Sequence, residues 1–382
     1  MNMRAINFGI IGCGLMGREF ASAAARWLHL LGQDATPRVV AVCDQSPAAM
    51  AWFTDNIPTV VCATADYREL LARPDVEAVY CAVPHSLHAE LYCAIIASGK
   101  HLLGEKPFGI DAAANAQILA ACAARPDVLV RGSSEFPFFP GAQRIWQLMR
   151  AGDFGQIIEA SAGFLHSSDL DPTKPINWKR QAALNGAYGC MGDLGMHVVH
   201  LPLRAGWRVV NLRALLTKVV AERPGAGGAL VPCDTWDNAA LACLADDGGR
   251  QFPLLLETKR IAPGETNTWY LHISGTRCSA RFSTREPKTL RLLEYAPGGA
   301  QFWQEHSLGY SSVYPTITGA IFEFGLSDAL LQMWAAFVDE LAHPGGMRGG
   351  FGCVTPAETA ASHAIFTAAL ESWERQAVIA PA

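Results

Sequence analysis

Ile10-Ile11-Gly12-Cys13-Gly14-Leu15-Met16-Gly17 decides how this chain is read. The run is G-x-G-x-x-G on the end of an apolar stretch, Asn7 to Ile11, that reads as a short buried strand; Glu19 to Leu31 beyond it reads as a helix. A glycine turn in that setting offers backbone N–H groups at a helix N-terminus to a pyrophosphate. Gly12 permits the tight turn, Gly14 lets the backbone approach the phosphates, and Gly17 lets helix and strand pack closely. Cys13, Leu15 and Met16 complete the cofactor-binding run. A second apolar strand, Val39 to Cys43, ends in Asp44, placed to take the adenine ribose hydroxyls. The interval from Gly17 to Asp44 is 27 residues, which fits a long first helix and a Gly32–Arg38 loop. Asp44 would repel a 2′-phosphate and is followed by Gln45, Ser46 and Pro47 rather than Arg or Lys, so the site favours NAD over NADP. The bland alternatives are an ordinary strand–turn–helix and, for Asp44, a plain strand-end cap.

The chain has 382 residues, half of them hydrophobic, enough for two domains. Its net charge is −5 and it has no basic run suited to nucleic acid. The opening Met1 to Ile6 runs straight into a strand without a signal-peptide layout, and no apolar run reaches the ~18 residues of a spanning helix. A cytoplasmic protein with neither a membrane nor a nucleic-acid partner is expected. Eleven cysteines, an odd number without a C-x-x-C pair, suit a reducing compartment. His85/His88 and His197/His200 have metal-like spacing, but no acidic or Cys ligands stand at the usual intervals, and no metal is expected.

Up to about residue 132 strands and helices alternate, with strands near 6–11, 39–43, 58–62, 77–83, 101–105 and 128–132. That alternation implies a mainly parallel sheet covered on both faces. The Pro137–Pro140 stretch marks a change, and the expected division is a nucleotide-binding domain at 1–132 and a substrate-binding and oligomerisation domain at 133–382. The second part reads as a helix at 140–151, a strand from Ile157 to Phe164, a helix near 190–205, and strands at 207–220, 236–245, 251–260, 267–275, 278–283 and 289–295. Turn signals such as Asp246-Asp247-Gly248-Gly249 separate them, so an antiparallel sheet with helices on one face is expected, followed by helices at 327–342 and 356–374.

Ligands of an open parallel sheet bind at the carboxyl ends of its strands. Here those ends carry Pro84-His85-Ser86-Leu87-His88 and Glu105-Lys106-Pro107. A partly buried rim lysine suits acid–base work, although Lys106 alone also reads as a solvated strand end. In Gly192-Asp193-Leu194-Gly195-Met196-His197 the acid and the imidazole lie four apart, on one face of a helix; a core histidine below an acidic first turn is the bland reading. The polar segment His166 to Arg180 reads as a substrate loop, in which Trp178 stacks on a sugar ring and Lys174, Lys179 and Arg180 meet an anionic group, or as a surface loop whose charges face water.

The glycine turn, Pro84 to His88, Glu105-Lys106-Pro107 and Asp193-x-x-x-His197, in this order, resemble the Gfo/Idh/MocA family, named for glucose–fructose oxidoreductase, inositol dehydrogenase and a rhizopine-catabolism protein. The resemblance runs from Ile6 to about residue 375. It implies an α/β Rossmann N-terminal domain, an α+β C-terminal domain with a large, mostly antiparallel open-faced sheet, and homodimers or homotetramers formed through that sheet. It implies hydride transfer between NAD and a secondary alcohol of a sugar, cyclitol or glycoside, with Lys106, Asp193 and His197 as the catalytic set. Pro84, His85, His88, Glu105 and Lys106 join the glycine turn and Asp44 as cofactor residues; His166, Trp178, Lys179 and Arg180 join the catalytic set on the substrate. This chain departs from the usual pattern with His85 where Asn is common, glycines split as Gly186, Gly189 and Gly192, and Gly104 before the Glu-Lys-Pro triplet. Two other functions fit the same motifs: an NAD-dependent glycosidase working by transient oxidation, elimination and re-reduction, and a non-catalytic nucleotide sensor.

Overall fold

Continuous apolar runs between short helices fold as expected of strands buried on both faces. The computed structural model describes residues 3–382; Met1 and Asn2, the start of the expected 1–132 domain, lie outside the described residues. The chain begins β1 (Arg4–Ile11), α1 (Leu15–Ala25), β2 (Ala35–Cys43), α2 (Pro47–Asn56), β3 (Cys62–Thr64), α3 (Tyr67–Ala72), β4 (Ala78–Cys81), α4 (His88–Ala97), β5 (His101–Gly104), α5 (Ala112–Ala124), β6 (Val130–Gly132). Among the described residues these strands form a six-stranded sheet of order β3-β2-β1-β4-β5-β6, every neighbouring pair parallel.

Two elements show the physical cause of a departure from the sequence reading. The first helix begins at Leu15, inside the glycine motif, and stops at Ala25 instead of Leu31. Tertiary pairing wins there: Leu31 N–H donates to the Pro315 carbonyl and Ile317 N–H to the His29 carbonyl, which forces a 3₁₀ turn at Trp27–His29. The third strand is Cys62–Thr64 rather than 58–62, since Pro58 brings no ladder donor.

The chain continues α6 (Pro140–Ala151), β7 (Ile157–Leu165), α7 (Ala182–Asn185), α8 (Cys190–Arg204), β8 (Arg208–Thr217), β9 (Glu222–Pro224), β10 (Leu230–Pro232), β11 (Asn238–Asp246), β12 (Gln251–Lys259), β13 (Thr268–Gly275), β14 (Cys278–Ser283), β15 (Thr289–Glu294) and β16 (Gln304–Ser307). Eight of these strands, among the described residues, form a sheet of order β16-β15-β14-β13-β7-β12-β11-β8. Only β7 and β12 run parallel within it. Alternation sets its faces: on β12, Phe252, Leu254 and Leu256 are buried while Gln251, Pro253 and Leu255 are exposed. Helix α8 packs on β7, β11 and β12, and α6 on β14. Residues Cys190 to Pro202 of α8 are all buried, so this helix is part of the core rather than a surface element.

Two helices remain, α9 (Leu326–Ala342) and α10 (Pro356–Arg375). The compact units are not the linear 1–132 and 133–382 of the sequence reading. Ser312–Pro356 joins the first unit, with residues up to Gly109 and Ala113–Phe138; the second holds Ile110–Ala112, Phe139–Ser311 and Ala357–Ala382. The cause is apolar cover. Trp334 of α9 meets Phe20 of α1 edge-on at 5.1 Å and Tyr80 of β4 at 5.5 Å, and Val354 pairs with Gly132 at the end of β6. Among the described residues no helix is long and apolar enough to cross a membrane.

Candidate functional site

Gly12 has φ +98°, and a Cβ there would lie 2.1 Å from the Ala82 carbonyl oxygen, so the turn admits only glycine. A Cβ on Gly17 would lie 2.3 Å from the Gly12 carbonyl oxygen, whereas one on Gly14 would meet nothing within 4 Å. Gly14 is the N-cap of α1, with no side-chain cap and no acid in the first turn. The helix N-terminus is thus open to an anion and has space beside it. Asp44 is half-buried at the end of β2, where Oδ2 accepts the Cys13 N–H at 2.7 Å and Oδ1 the Ser46 N–H at 2.8 Å. Each oxygen keeps a lone pair for a ribose hydroxyl. These residues fit NAD. The Cys13 thiol is pushed up to about 12 by burial and by the Asp44 charge, so it stays neutral. Leu15 is exposed and Met16 half-buried.

The next strand end is built differently from the sequence reading. His88 accepts the Gly109 N–H on Nδ1 at 3.3 Å, and its Nε2 donates to the Val83 carbonyl at 3.1 Å. Both ring nitrogens are engaged by backbone, which fixes one neutral tautomer, and the ring stacks on Tyr92 at 4.7 Å. His88, expected among the cofactor residues, clamps the end of β4 to the turn after Lys106. His85 is also buried, its ring 5.3 Å from that of His88, with Pro84 half-buried before it.

Glu105 also faces inward. Its Oε1 accepts the Tyr80 hydroxyl at 2.7 Å and the Ser133 hydroxyl at 2.6 Å, while Tyr92 donates to its backbone carbonyl at 2.8 Å. This carboxylate therefore anchors the triplet through Oε1. Gly104 is explained by the same packing: a Cβ would lie 2.7 Å from the Tyr92 ring. Lys106, half-buried, follows at the strand end, and the turn beyond it is held where the Asn115 amide donates to the Phe108 carbonyl at 2.9 Å.

Sequence reasoning missed Glu135, because nothing local in Ser133-Ser134-Glu135 marks it. It is buried; burial and the Glu105 charge push its carboxyl up to about 7, against the pull of the Lys106 ammonium. The folded protein keeps this proton at pH values where the unfolded chain has lost it. The group's contribution to stability is therefore full below the ordinary glutamate range and is lost as pH rises through about 7. Glu135→Gln is expected to raise the melting temperature at pH 8 and leave it nearly unchanged at pH 4, read by thermal unfolding across that range. An equal shift at both pH values would contradict it.

In the second unit Gly189, at φ +58°, caps α8; a Cβ there would meet the Trp236 backbone nitrogen at 2.5 Å. The helix presents Asp193, 1% exposed, and His197 one turn on. Arg260, just past β12, pairs with Oδ2 of Asp193, and the Lys179 ammonium lies 3.2 Å from Oδ1. Arg260 also reaches the Ser168 hydroxyl at 3.3 Å and Asp169 at 3.5 Å. Arg180 pairs with Asp169 at 2.9 Å and donates to Asp237 at 2.6 Å. Burial outweighs the surrounding carboxylates and brings Arg260 down to about 10, still cationic at neutral pH. The His197 carbonyl accepts the Trp269 indole N–H at 2.8 Å, and its ring meets Phe164 edge-on at 5.4 Å, with His166 on that same phenyl ring at 4.6 Å.

The 166–180 segment is a built loop. Arg223, buried, donates to the backbone carbonyls of Asp169 and Asp171. Lys174 donates to the Ser168 carbonyl at 2.7 Å, and the Lys179 ammonium lies 5.5 Å from the Trp178 ring centre. Arg180, expected to meet substrate, is 1% exposed and held between two carboxylates: it anchors the loop. His200 is buried, and that burial lowers it to about 3, so it stays neutral.

Together these features define a dinucleotide-binding Rossmann unit and a unit built on a mostly antiparallel sheet with a buried Asp–His helix. Residues 6–132 match the Gfo/Idh/MocA family model, described as "Oxidoreductase family, NAD-binding Rossmann fold". A levoglucosan dehydrogenase of Pseudarthrobacter phenanthrenivorans is 26% identical over 234 residues, 59% of this chain and 58% of that protein. A dTDP-3,4-didehydro-2,6-dideoxy-alpha-D-glucose 3-reductase of Saccharopolyspora spinosa is 28% identical over 194 residues, 51% of this chain and 54% of the relative. The matched stretch thus spans little more than half the length of these relatives. The whole fold is shared with a solved levoglucosan dehydrogenase in complex with NADH and L-sorbose, at TM-score 0.89 and 22% identity, covering 100% of both chains.

Proposed function

We propose that this protein is an NAD-dependent dehydrogenase that oxidises a secondary alcohol of a neutral sugar, cyclitol or glycoside. The observation that carries the reading is the helix α8 pair, Asp193 and His197, bordered by the Trp178–Lys179 corner of the built loop. Bound NAD supplies the hydride acceptor. The proposed roles for the chain's own residues are these: His197 takes the hydroxyl proton, Lys106 stabilises the developing alkoxide, and Asp193 holds the charge state of its cationic neighbours. Trp178 and His166 give ring faces for a carbohydrate. A neutral substrate is favoured because Lys174 is turned onto a backbone carbonyl and Arg180 onto two aspartates, leaving no cluster of loop cations for a carboxylate or phosphate.

The test is a panel of levoglucosan, inositols, sugar acids and aryl glycosides with NAD, reading NADH absorbance and free aglycone in parallel. NADH accumulation on neutral members supports the reading. Aglycone release without net NADH identifies the glycosidase route, and preference for sugar acids removes the neutral-substrate part.

The sheet face opposite α8 exposes Leu215 at 58% and Leu255 at 52%, and we infer that it is the interface of a homodimer or homotetramer. Light scattering is expected to give a dimeric or tetrameric mass that falls on Leu255→Glu; a monomeric wild type would remove the inference.

A further inference from the structure

We propose that Arg260 is a positioning residue of the reaction: from the interior it clamps Oδ2 of Asp193 and so fixes the charge and the direction of the carboxylate that Lys179 straddles, at 3.2 Å from Oδ1 and 3.4 Å from Oδ2. The kinetic part of this inference rests on the dehydrogenase reading; the part concerning the carboxylate does not.

The side chains form one alternating row: Lys179, Asp193, Arg260, Asp169, Arg180, Asp237. Three positive and three negative groups balance. Lys179 is 32% exposed, whereas the other five are 7% or less. The far end is closed where Asp237 Oδ2 accepts the backbone N–H groups of Val219 and Val220. The row therefore has one open end, at Asp193 and Lys179, and Arg260 is the member that joins this end to the rest. Its forked guanidinium reaches Asp193, Asp169 and Ser168 at once, a geometry that a single ammonium does not reproduce. It thereby couples helix α8, the end of β12 and the loop in one contact set.

Without Arg260, Asp193 would keep Lys179 as its cationic partner in this row and remain shut away from water. A buried carboxylate that loses a close cation takes up a proton more readily. The groups that set this balance are Lys179 from the loop, Arg260 from the end of β12, Asp169 and Arg180 behind it, Asp237 at the far end, and His197 on α8 itself. The Cys190 thiol near Arg260 donates to the Thr258 carbonyl at 3.4 Å and is pushed up to about 11, mainly by burial, so it adds no charge at neutral pH.

The test compares wild type, Arg260→Gln, Arg260→Lys and the double variant Arg260→Gln/Asp193→Asn. Infrared difference spectra of the free protein between pH 5 and pH 8 read carboxyl protonation without any substrate. Wild type and all variants carry the Glu135 carboxyl signal in this range; Arg260→Gln is expected to gain a second protonated-carboxyl band beside it, which the double variant loses. With levoglucosan and NAD as the probe pair, kcat of Arg260→Gln is expected to fall about 10²-fold and its acid limb to move up by about one pH unit. NADH affinity, read by fluorescence, stays within threefold of wild type on the same argument. Arg260→Lys should restore the position of the acid limb but only part of kcat. An Arg260→Gln protein with no new band and a wild-type acid limb would overturn the proposal and leave Arg260 as a fold anchor. Should Arg260→Gln fail to fold, Arg260→Lys decides: wild-type kcat and pH profile overturn the proposal, and a lowered kcat with unchanged KM supports it. Absence of turnover in wild type sinks the dehydrogenase reading for that probe, while the infrared arm still judges Arg260.

Discussion

Lys106→Ala is expected to lower kcat by about 10²–10⁴-fold, the range for a lost proton-transfer or alkoxide-stabilising group, while NADH affinity changes little. The lysine stands at the end of β5 on a turn that three independent contacts hold: Glu105 pinned by Tyr80 and Ser133, His88 on the Gly109 N–H, and Asn115 on the Phe108 carbonyl. None of these depends on the ammonium, so the variant keeps its scaffold and loses the reacting group. A loss confined to the transition state lowers kcat and kcat/KM together. Stopped-flow hydride transfer and NADH titration on the same protein separate the two. Near wild-type kcat would remove Lys106 from the chemistry.

Arg180→Met is expected to cost roughly 3–5 kcal/mol of stability, since it leaves buried Asp237 without its cationic partner in the row and takes from Asp169 the nearer of its two. Both ends of that pairing are 1% exposed at Arg180 and Asp237, and the contact is 2.6 Å. The penalty comes from the abandoned carboxylates more than from the lost attraction. Arg180→Met/Asp237→Asn should therefore recover part of it, a coupling that urea unfolding of the single and double variants measures. The exposed Arg4–Glu77 pair, at 60% and 36% side-chain exposure, is the contrast: breaking it should cost about 0–1 kcal/mol. An Arg180 variant as mild as an Arg4 variant would mean that the row is not the anchor of the loop.

What the sequence shows most plainly is local. The glycine turn is legible because Gly12, Gly14 and Gly17 answer to backbone geometry within eight residues, and the Asp193/His197 pair because helical spacing puts both on one face. The parallel and antiparallel sheets follow from the strand–helix alternation and from the turn signals. The misreadings all depend on distant partners. Arg180 reads as an anion-binding or solvated loop charge until Asp237, far along the chain, is beside it. That His88 is a backbone clamp shows only when the Gly109 N–H closes on it. Arg260 and Glu135 carry no motif, and their surroundings are made by chain folding alone. The short first helix is likewise set by Pro315 and Ile317 rather than by its own residues.

Because the first unit takes back Ser312–Pro356 after the whole of Phe139–Ser311, its birth on the ribosome is interrupted. At ~5–20 residues per second, translation of the intervening stretch takes on the order of ten to thirty seconds. Throughout that delay the nascent unit carries Phe20 of α1 and Tyr80 of β4 without the indole of Trp334 to cover them. Greater need of chaperones during synthesis is the expected consequence, and a circular permutant that begins near residue 312 is expected to reduce it.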